Sequence, residues 1–236
     1  WLLEWSDALK YKAIALLEMG EFDDALHAAD ECIRLREQLV QFELADDRWK
    51  RTLVEARTIR ADIRDWLGDT AGAEMDRLPQ IELETRTLNA VVPAPLSTQR
   101  TILTFVTETL LLSARDHLLT ADRKGAESRI AEASKLLADH TLSDSPTDVR
   151  LQTNAGVFGF QARILAENGD LDSALPLANR AIASTDEATA ITDRFLLRPT
   201  LLGIRARLDS AIVFDLAGDG ERAGEQRRRA LELARS

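Results

Sequence analysis

The chain has 236 residues, 30% of them charged, with a formal net charge of −10 and a sequence pI near 4.9. That surplus of carboxylates excludes nucleic acid as the main partner, because phosphate binding needs a basic patch. The single cysteine, Cys32, excludes an intrachain disulfide; with no apolar run of about 18 residues to span a membrane, it points to a cytoplasmic location.

The chain opens with WLLEWSDALKYKAIALLEM, a helical stretch apolar from its first residues. Helices are predicted over residues 21 to 43 and 46 to 67, the second opened by Asp46 and Asp47. After Asp69 a short helix meets Pro79, which is expected to kink or restart it. The segment from Val91 to Thr98 holds Pro93 and Pro95 and is the clearest break, with Ser97 or Thr98 able to cap the next helix. Helices follow to about Ala121 and from Asp122 to Asp139. Ser143 to Pro146 form a second break, with proline suited to a first helical turn. Helices then run to Asn168 and from Asp170 to Ala183. Ser184, Thr185, Asp186 and Glu187 are expected to cap a long segment that passes Pro199 and reaches Ala217. No strand pattern of useful length is present, so the chain is all-α.

The elements repeat. Five turns align at Gly20-Glu21, Gly68-Asp69, Ala121-Asp122, Gly169-Asp170 and Gly218-Asp219. Five residues after each turn's first position stand Ala25, Ala73, Ala126, Ala174 and Ala223; seven before it stand Ala13, Ala61, Ala114, Ala162 and Ala211. Glycine adopts the left-handed conformation that ends a helix. The acidic residue beside it suits the positive end of the following helix. Small residues let two antiparallel helices approach closely, and Phe22, Ala25, Leu26, Ala29 and Ile33 share one helical face. Each unit is a helical hairpin, giving hairpins over about 1–43, 46–90, 97–140, 146–183 and 186–236 within a single repeat domain.

This pattern resembles the tetratricopeptide repeat (TPR) family, whose helix-turn-helix unit carries small residues at these sites. The copies ARILAENGDLDSALPLANRAIA and SAIVFDLAGDGERAGEQRRRALELA lie nearest to the family pattern. The turn spacings, 68−20 = 48, 121−68 = 53, 169−121 = 48 and 218−169 = 49 residues, exceed the ~34 of the standard repeat. The extra residues are expected to lengthen both helices of each hairpin. The resemblance implies a TPR-like α-solenoid, a right-handed superhelix of about five antiparallel hairpins.

Residues with chemical potential read as structural. Asp23 and His27 lie one helical turn apart but are too few for a metal site. His117 falls on an inward face, as a hydrogen-bonded core residue, and His140 ends a helix. Cys32 shares a column with Ala133, Ala181 and Ala230, as a small core residue. Asn168, Asp170 and Asp172 imitate half a calcium loop, but Ser173 and Asn179 stand where Gly and Glu are required. AGDGERAG lacks the lysine and the preceding strand of a phosphate loop. No catalytic constellation stands out, and neither an enzyme nor a cofactor is expected.

The resemblance implies that the first helix of each hairpin lines a concave protein-binding surface. The family's columns fall on Lys10, Ile14 and Leu17, then on Thr58, Asp62 and Trp66. They continue with Leu111, Arg115 and Leu118, with Gly159 and Arg163, and with Leu208 and Ile212. Trp66 and Arg115 are the expected anchors for a partner protein or peptide, and Arg163 extends a positive strip that would face carboxylates. The alternative is that the arginines pair with nearby Asp and Glu and Trp66 packs under its hairpin. The subtype that grips a terminal carboxylate is not expected, because Ile14 stands where an Asn is needed. A second functional reading is the C-terminal sensor or regulatory segment of a larger bacterial signalling protein, such as an ATP-dependent transcription regulator. Trp1 and Trp5 then form an edge for an upstream domain or for self-association, unless they pack on the second helix.

Overall fold

The computed structural model describes residues 1–42, 47–90, 96–140, 148–191 and 197–235. Ten helices cover them: α1 (Leu2–Met19), α2 (Phe22–Phe42), α3 (Asp47–Leu67), α4 (Thr70–Leu88), α5 (Leu96–Leu119), α6 (Arg123–Asp139), α7 (Asp148–Glu167), α8 (Leu171–Ile191), α9 (Leu197–Leu216) and α10 (Gly220–Arg235). No strand occurs among the described residues. The chain divides into two compact units, Trp1–Ala90 with two hairpins and Val91–Ser236 with three. Within each unit a first helix packs on its own second helix and on the first helix of the adjoining hairpin, as α1 does on α2 and α3 and α7 on α8 and α9.

All five hairpins close in the same way. Gly20, Gly68, Gly169 and Gly218 take φ of 77–86°, and Ala121 takes φ 60° in the same role. At each turn this residue's N–H bonds three residues back, and the next residue's N–H bonds five back, as Gly20 to Leu17 and Glu21 to Leu16 do. The carbonyls at the end of the first helix are thereby satisfied. The second helix then starts on an aspartate in four of the five. Asp69, Asp122, Asp170 and Asp219 each accept, at 3.0 Å, the backbone N–H three residues on. These bonds hold the carboxyls of Asp122 and Asp219 below the ordinary carboxylate range. Asp170 is lowered too, by its side-chain bond with Ser173 and then by the backbone bond. Asp170 is thus engaged as a cap.

Both Ala columns are buried, with none of the ten residues more than 1% exposed. In the second unit Ala162, Ala174, Ala211 and Ala223 share one core with Val213 and Phe214. In the first, Ala13 and Ala25 pack with Ile63 of the next hairpin. Cys32 and its column partners Ala133, Ala181 and Ala230 are buried as expected, and the Cys32 thiol donates to the Ser6 carbonyl at 3.2 Å. The helices run from 16 to 24 residues, so the long repeat period resides in longer helices.

Three expectations need correction. Pro79 does not restart its helix, because α4 runs unbroken from Thr70 to Leu88. The proline deprives the Met75 carbonyl of its donor, and Met75 stands on the exposed side, where water can replace it. Ser184 to Glu187 do not cap a new helix but lie inside α8. The Thr185 hydroxyl bonds back to the Ala181 carbonyl at 2.9 Å, which satisfies it within the helix. α5 already begins at Leu96, so Ser97 and Thr98 fall in its first turn. Asp46, the Val91–Pro95 part of the first break and the break at Ser143–Pro146 lie outside the described residues. Trp1 and Trp5 are exposed.

The turn geometry makes a stability prediction. Ala121→Gly relieves a left-handed alanine and should stabilise by ~1 kcal/mol, while Gly169→Ala should destabilise by about as much. Denaturant midpoints with unchanged slopes would report it. The Ala column makes a second. Ala174→Arg forces a charged side chain into a closed helix contact and should cost ~3 kcal/mol or more. Asp172→Ala, at an exposed position in the same turn, should cost well under ~1 kcal/mol in the same titration.

Candidate functional site

The surface of interest is the face presented by the first helix of each hairpin. In the N-terminal unit it comes from α1 and α3. The Lys10 ammonium pairs with Glu55 of α3 at 3.1 Å. Ile14 is half-buried, and Leu17 packs on the Ala13–Ala25 core. The Thr58 hydroxyl donates to Oε1 of Gln80 in α4 at 2.6 Å. Asp62 lies 3.5 Å from the buried Arg77 guanidinium, which Asp65 also holds at 2.6 Å. Trp66 is the outlier. Its ring stacks on Phe22 of α2 with centroids 5.7 Å apart and an 8° interplanar angle, yet 71% of the residue stays exposed.

Beneath this face lies a charged interior that the sequence reading did not anticipate. Arg36 is fully buried and bridges α1 to α3, holding Asp7 at 2.7 Å and Glu55 at 3.4 Å and donating to the Ser6 hydroxyl and the Thr52 carbonyl. Arg60 grips both oxygens of buried Asp76 at 2.8 and 2.6 Å and reaches Asp30 at 2.7 Å, while Arg64 adds a bond to Asp76 at 2.9 Å. The bond to Asp76 holds Arg60 firmly charged. The usable signal was spacing: Arg36 and Arg77 stand four residues after the core positions Cys32 and Ala73, on the inward stripe.

In the second unit the face comes from α5, α7 and α9. Leu111 is buried, and a Cβ on Gly156 would stand 3.0 Å from it, so it supports the surface from below. Gly159 is likewise no surface residue. It sits where α7 meets α9, and a Cβ there would stand 3.0 Å from the Ala206 Cα. Arg115 is half-exposed, 3.7 Å from Asp116. Leu118 and Ile212 are half-buried and Leu208 is exposed. Arg163 takes the paired alternative, bonding Glu167 at 2.8 Å and Asp209 at 3.3 Å. Its charge is therefore met inside the unit and does not extend a free positive strip.

Asp209 is buried and paired with Arg163. Burial pushes its carboxyl up to about 6, against the opposing pull of Arg163 and Arg205. His117 is half-buried rather than core, with Nδ1 2.9 Å from the capping Asp122. His140 closes α6 as expected. Asp23 and His27 are exposed, and no group of three or more metal-ligating side chains gathers among the described residues. No helix among them is long and apolar enough to cross a membrane.

Antiparallel hairpins with small-residue contacts and left-handed turns define a TPR-like helical-repeat fold, and solved structures agree. The TPR-like repeats of a Podosopora anserina protein described as a kinesin light chain match at TM-score 0.55 and 14% identity, covering 97% of this chain and 94% of that one. A point variant of the same repeats matches at 0.57 and 14%, covering 96% and 93%. BtubC (BKLC) from P. vanneervenii matches at 0.50 and 15%, covering 99% and 91%. No protein-family model matches the chain, and no curated protein matches it.

The buried carboxyl makes a pH prediction. Asp209 in the folded chain binds its proton more tightly than an ordinary carboxyl, whose value is 3.8, so its contribution to stability is full below that value and is lost as pH rises through about 6. Asp209→Asn cannot ionise and leaves Arg163 its bond to Glu167. Urea midpoints between those two pH values should fall for the parent relative to the variant, by on the order of 2 kcal/mol across the window. Parallel curves would show that Asp209 ionises normally.

Proposed function

We propose that this chain is a protein-interaction module that binds a partner protein or peptide segment on the faces of its first helices. Contacts in the N-terminal unit would come from Lys10, Ile14, Thr58, Asp62 and Trp66, and in the second unit from Arg115, beside the paired Arg163. The observation that carries the reading is Trp66, a tryptophan held in a fixed orientation by its stack on Phe22 and left 71% exposed. A large ordered aromatic in water is an uncompensated apolar surface, and such residues dominate binding energy once a partner desolvates them. The TPR-like fold supports the same class of function, since a row of stacked helices offers side chains at regular spacing to an extended segment.

The test uses the immobilised chain to select binders from a displayed random-peptide library. Selected peptides should bind Trp66→Ala at least ~10-fold more weakly than the parent, with a smaller loss for Arg115→Glu. Because both side chains reach the surface, circular dichroism should be unchanged. Equal binding to all three folded proteins would remove this face as the site.

A further inference from the structure

The surroundings of Trp66 have a charge pattern that specifies the partner further. Between Lys12 and Arg34 the sequence has no Lys or Arg and six carboxylates: Glu18, Glu21, Asp23, Asp24, Asp30 and Glu31. Asp30 is committed to Arg60 and Glu31 to Arg34. Glu18, Glu21, Asp23 and Asp24 are exposed, and none of them forms an ion pair among the described residues. These four span the end of α1 and the start of α2, and Phe22, the residue under Trp66, lies in their midst.

Glu18 has a defined place relative to the tryptophan. It stands two residues before Gly20, as Trp66 stands two before Gly68. The two residues therefore hold equivalent positions on α1 and α3, first helices that pack together within one unit. The cations nearest in sequence to the tryptophan are occupied, Arg64 by Asp76 and Asp69, and Arg60 by Asp76 and Asp30. Exposed Met19 and Leu67 add apolar surface at the same hairpin ends.

We propose that the Phe22–Trp66 stack and its rim of Glu18, Glu21, Asp23 and Asp24 form a docking surface for an arginine-bearing peptide segment. The inference rests on the reading of the chain as a peptide-binding module and names the chemistry of the ligand. A guanidinium laid on the open face of an indole is attracted by the ring and packs flat against it. The unpaired carboxylates on the segment that carries Phe22 then meet the charge and the remaining N–H groups. Lysine would gain the carboxylates but loses the planar stack. An acidic or uncharged segment would meet repulsion or leave the rim unmatched. The acidic first turn of α2 also suits the helix dipole, but that role needs no aromatic stack in its centre.

The experiment titrates the full chain with three blocked peptides of one length, alternating leucine with arginine, citrulline or glutamate. The readouts are the Trp66 indole N–H resonance and a calorimetric Kd. The arginine peptide should shift the Trp66 signal and bind at least tenfold more tightly than the citrulline peptide, and the glutamate peptide should leave the signal in place. Trp66→Ala should weaken the arginine peptide at least tenfold. Glu18→Lys should weaken it severalfold although a cation suits the last turn of α1, so the loss cannot be laid to unfolding. Raising the salt should weaken binding of the parent more than that of Glu18→Lys. Equal binding of arginine and citrulline peptides, or an arginine peptide indifferent to Trp66→Ala or to Glu18→Lys, would overturn the assignment. If the arginine peptide fails while library-selected peptides still require Trp66, the ligand chemistry is wrong and the module reading stands. If neither binds through Trp66, the module reading fails at this site as well.

Discussion

A left-handed residue, placed where each first helix must stop, fixes the path of the chain. It turns two N–H groups back onto the last carbonyls of that helix and delivers the next residue to the start of the second. In four hairpins that residue is an aspartate whose carboxylate takes a free amide of the new helix. Both helices are thus phased from one point. The Ala seven residues before and the Ala five after are then carried to the same crossing, where neither side chain holds the backbones apart. Substituting Ala121 for Gly retains the hydrogen bonds and adds strain.

Close packing through alanine buries little apolar area per residue, and the two units fill the remaining contacts differently. The N-terminal unit places Arg36, Asp76 and Arg77 in its interior, each answered by partners on a neighbouring helix. The second unit brings its backbones together through Gly156 and Gly159. Among its described residues the buried charges are Asp116, 3.7 Å from Arg115, Arg207, held by Gln226 and Asp186, and Asp209, paired with Arg163. A buried ion pair adds little net stability over an apolar pair of the same shape, yet losing one partner is costly. The N-terminal unit therefore tolerates few changes at Arg36, because that one side chain reaches Asp7 on α1 and Thr52 and Glu55 on α3.

The turns and Ala columns were legible in the sequence because backbone constraints select residue types directly. Positive φ selects Gly, a free amide selects Asp, and a close crossing selects Ala. Pro79 and the Ser184–Glu187 run misled because their signals are conditional. A proline ends a helix only where the helix cannot absorb the lost hydrogen bond and the clash of its ring, and a capping residue caps only where the helix ends. Arg36 and Arg77 were readable as inward-facing but not as satisfied, since their partners lie 12 to 30 residues away on other helices. At the candidate site, Trp66 emerged from the repeat columns, while its stack on Phe22 depended on how α2 meets α3. Gly159 and Leu111 fell in surface columns of the shorter repeat, yet in this chain those positions serve the contacts of α7 with its neighbours.

The same pairing decides which charges are left to recognise a partner. The chain carries 30 Lys and Arg against 40 Asp and Glu, and many of the arginines act as internal ties, Arg36, Arg60, Arg77, Arg163 and Arg207 among them. A guanidinium suits that task because it is charged at all working pH and can bond several helices at once. Each one drawn inward removes a positive charge from the surface and takes a carboxylate with it. The carboxylates left over then dominate stretches that hold no cation of their own, and the turn between α1 and α2 is such a stretch. Within that stretch stands Phe22, with the exposed Trp66 stacked on it. Set among unpaired carboxylates, that stack asks for a partner that is flat and positively charged.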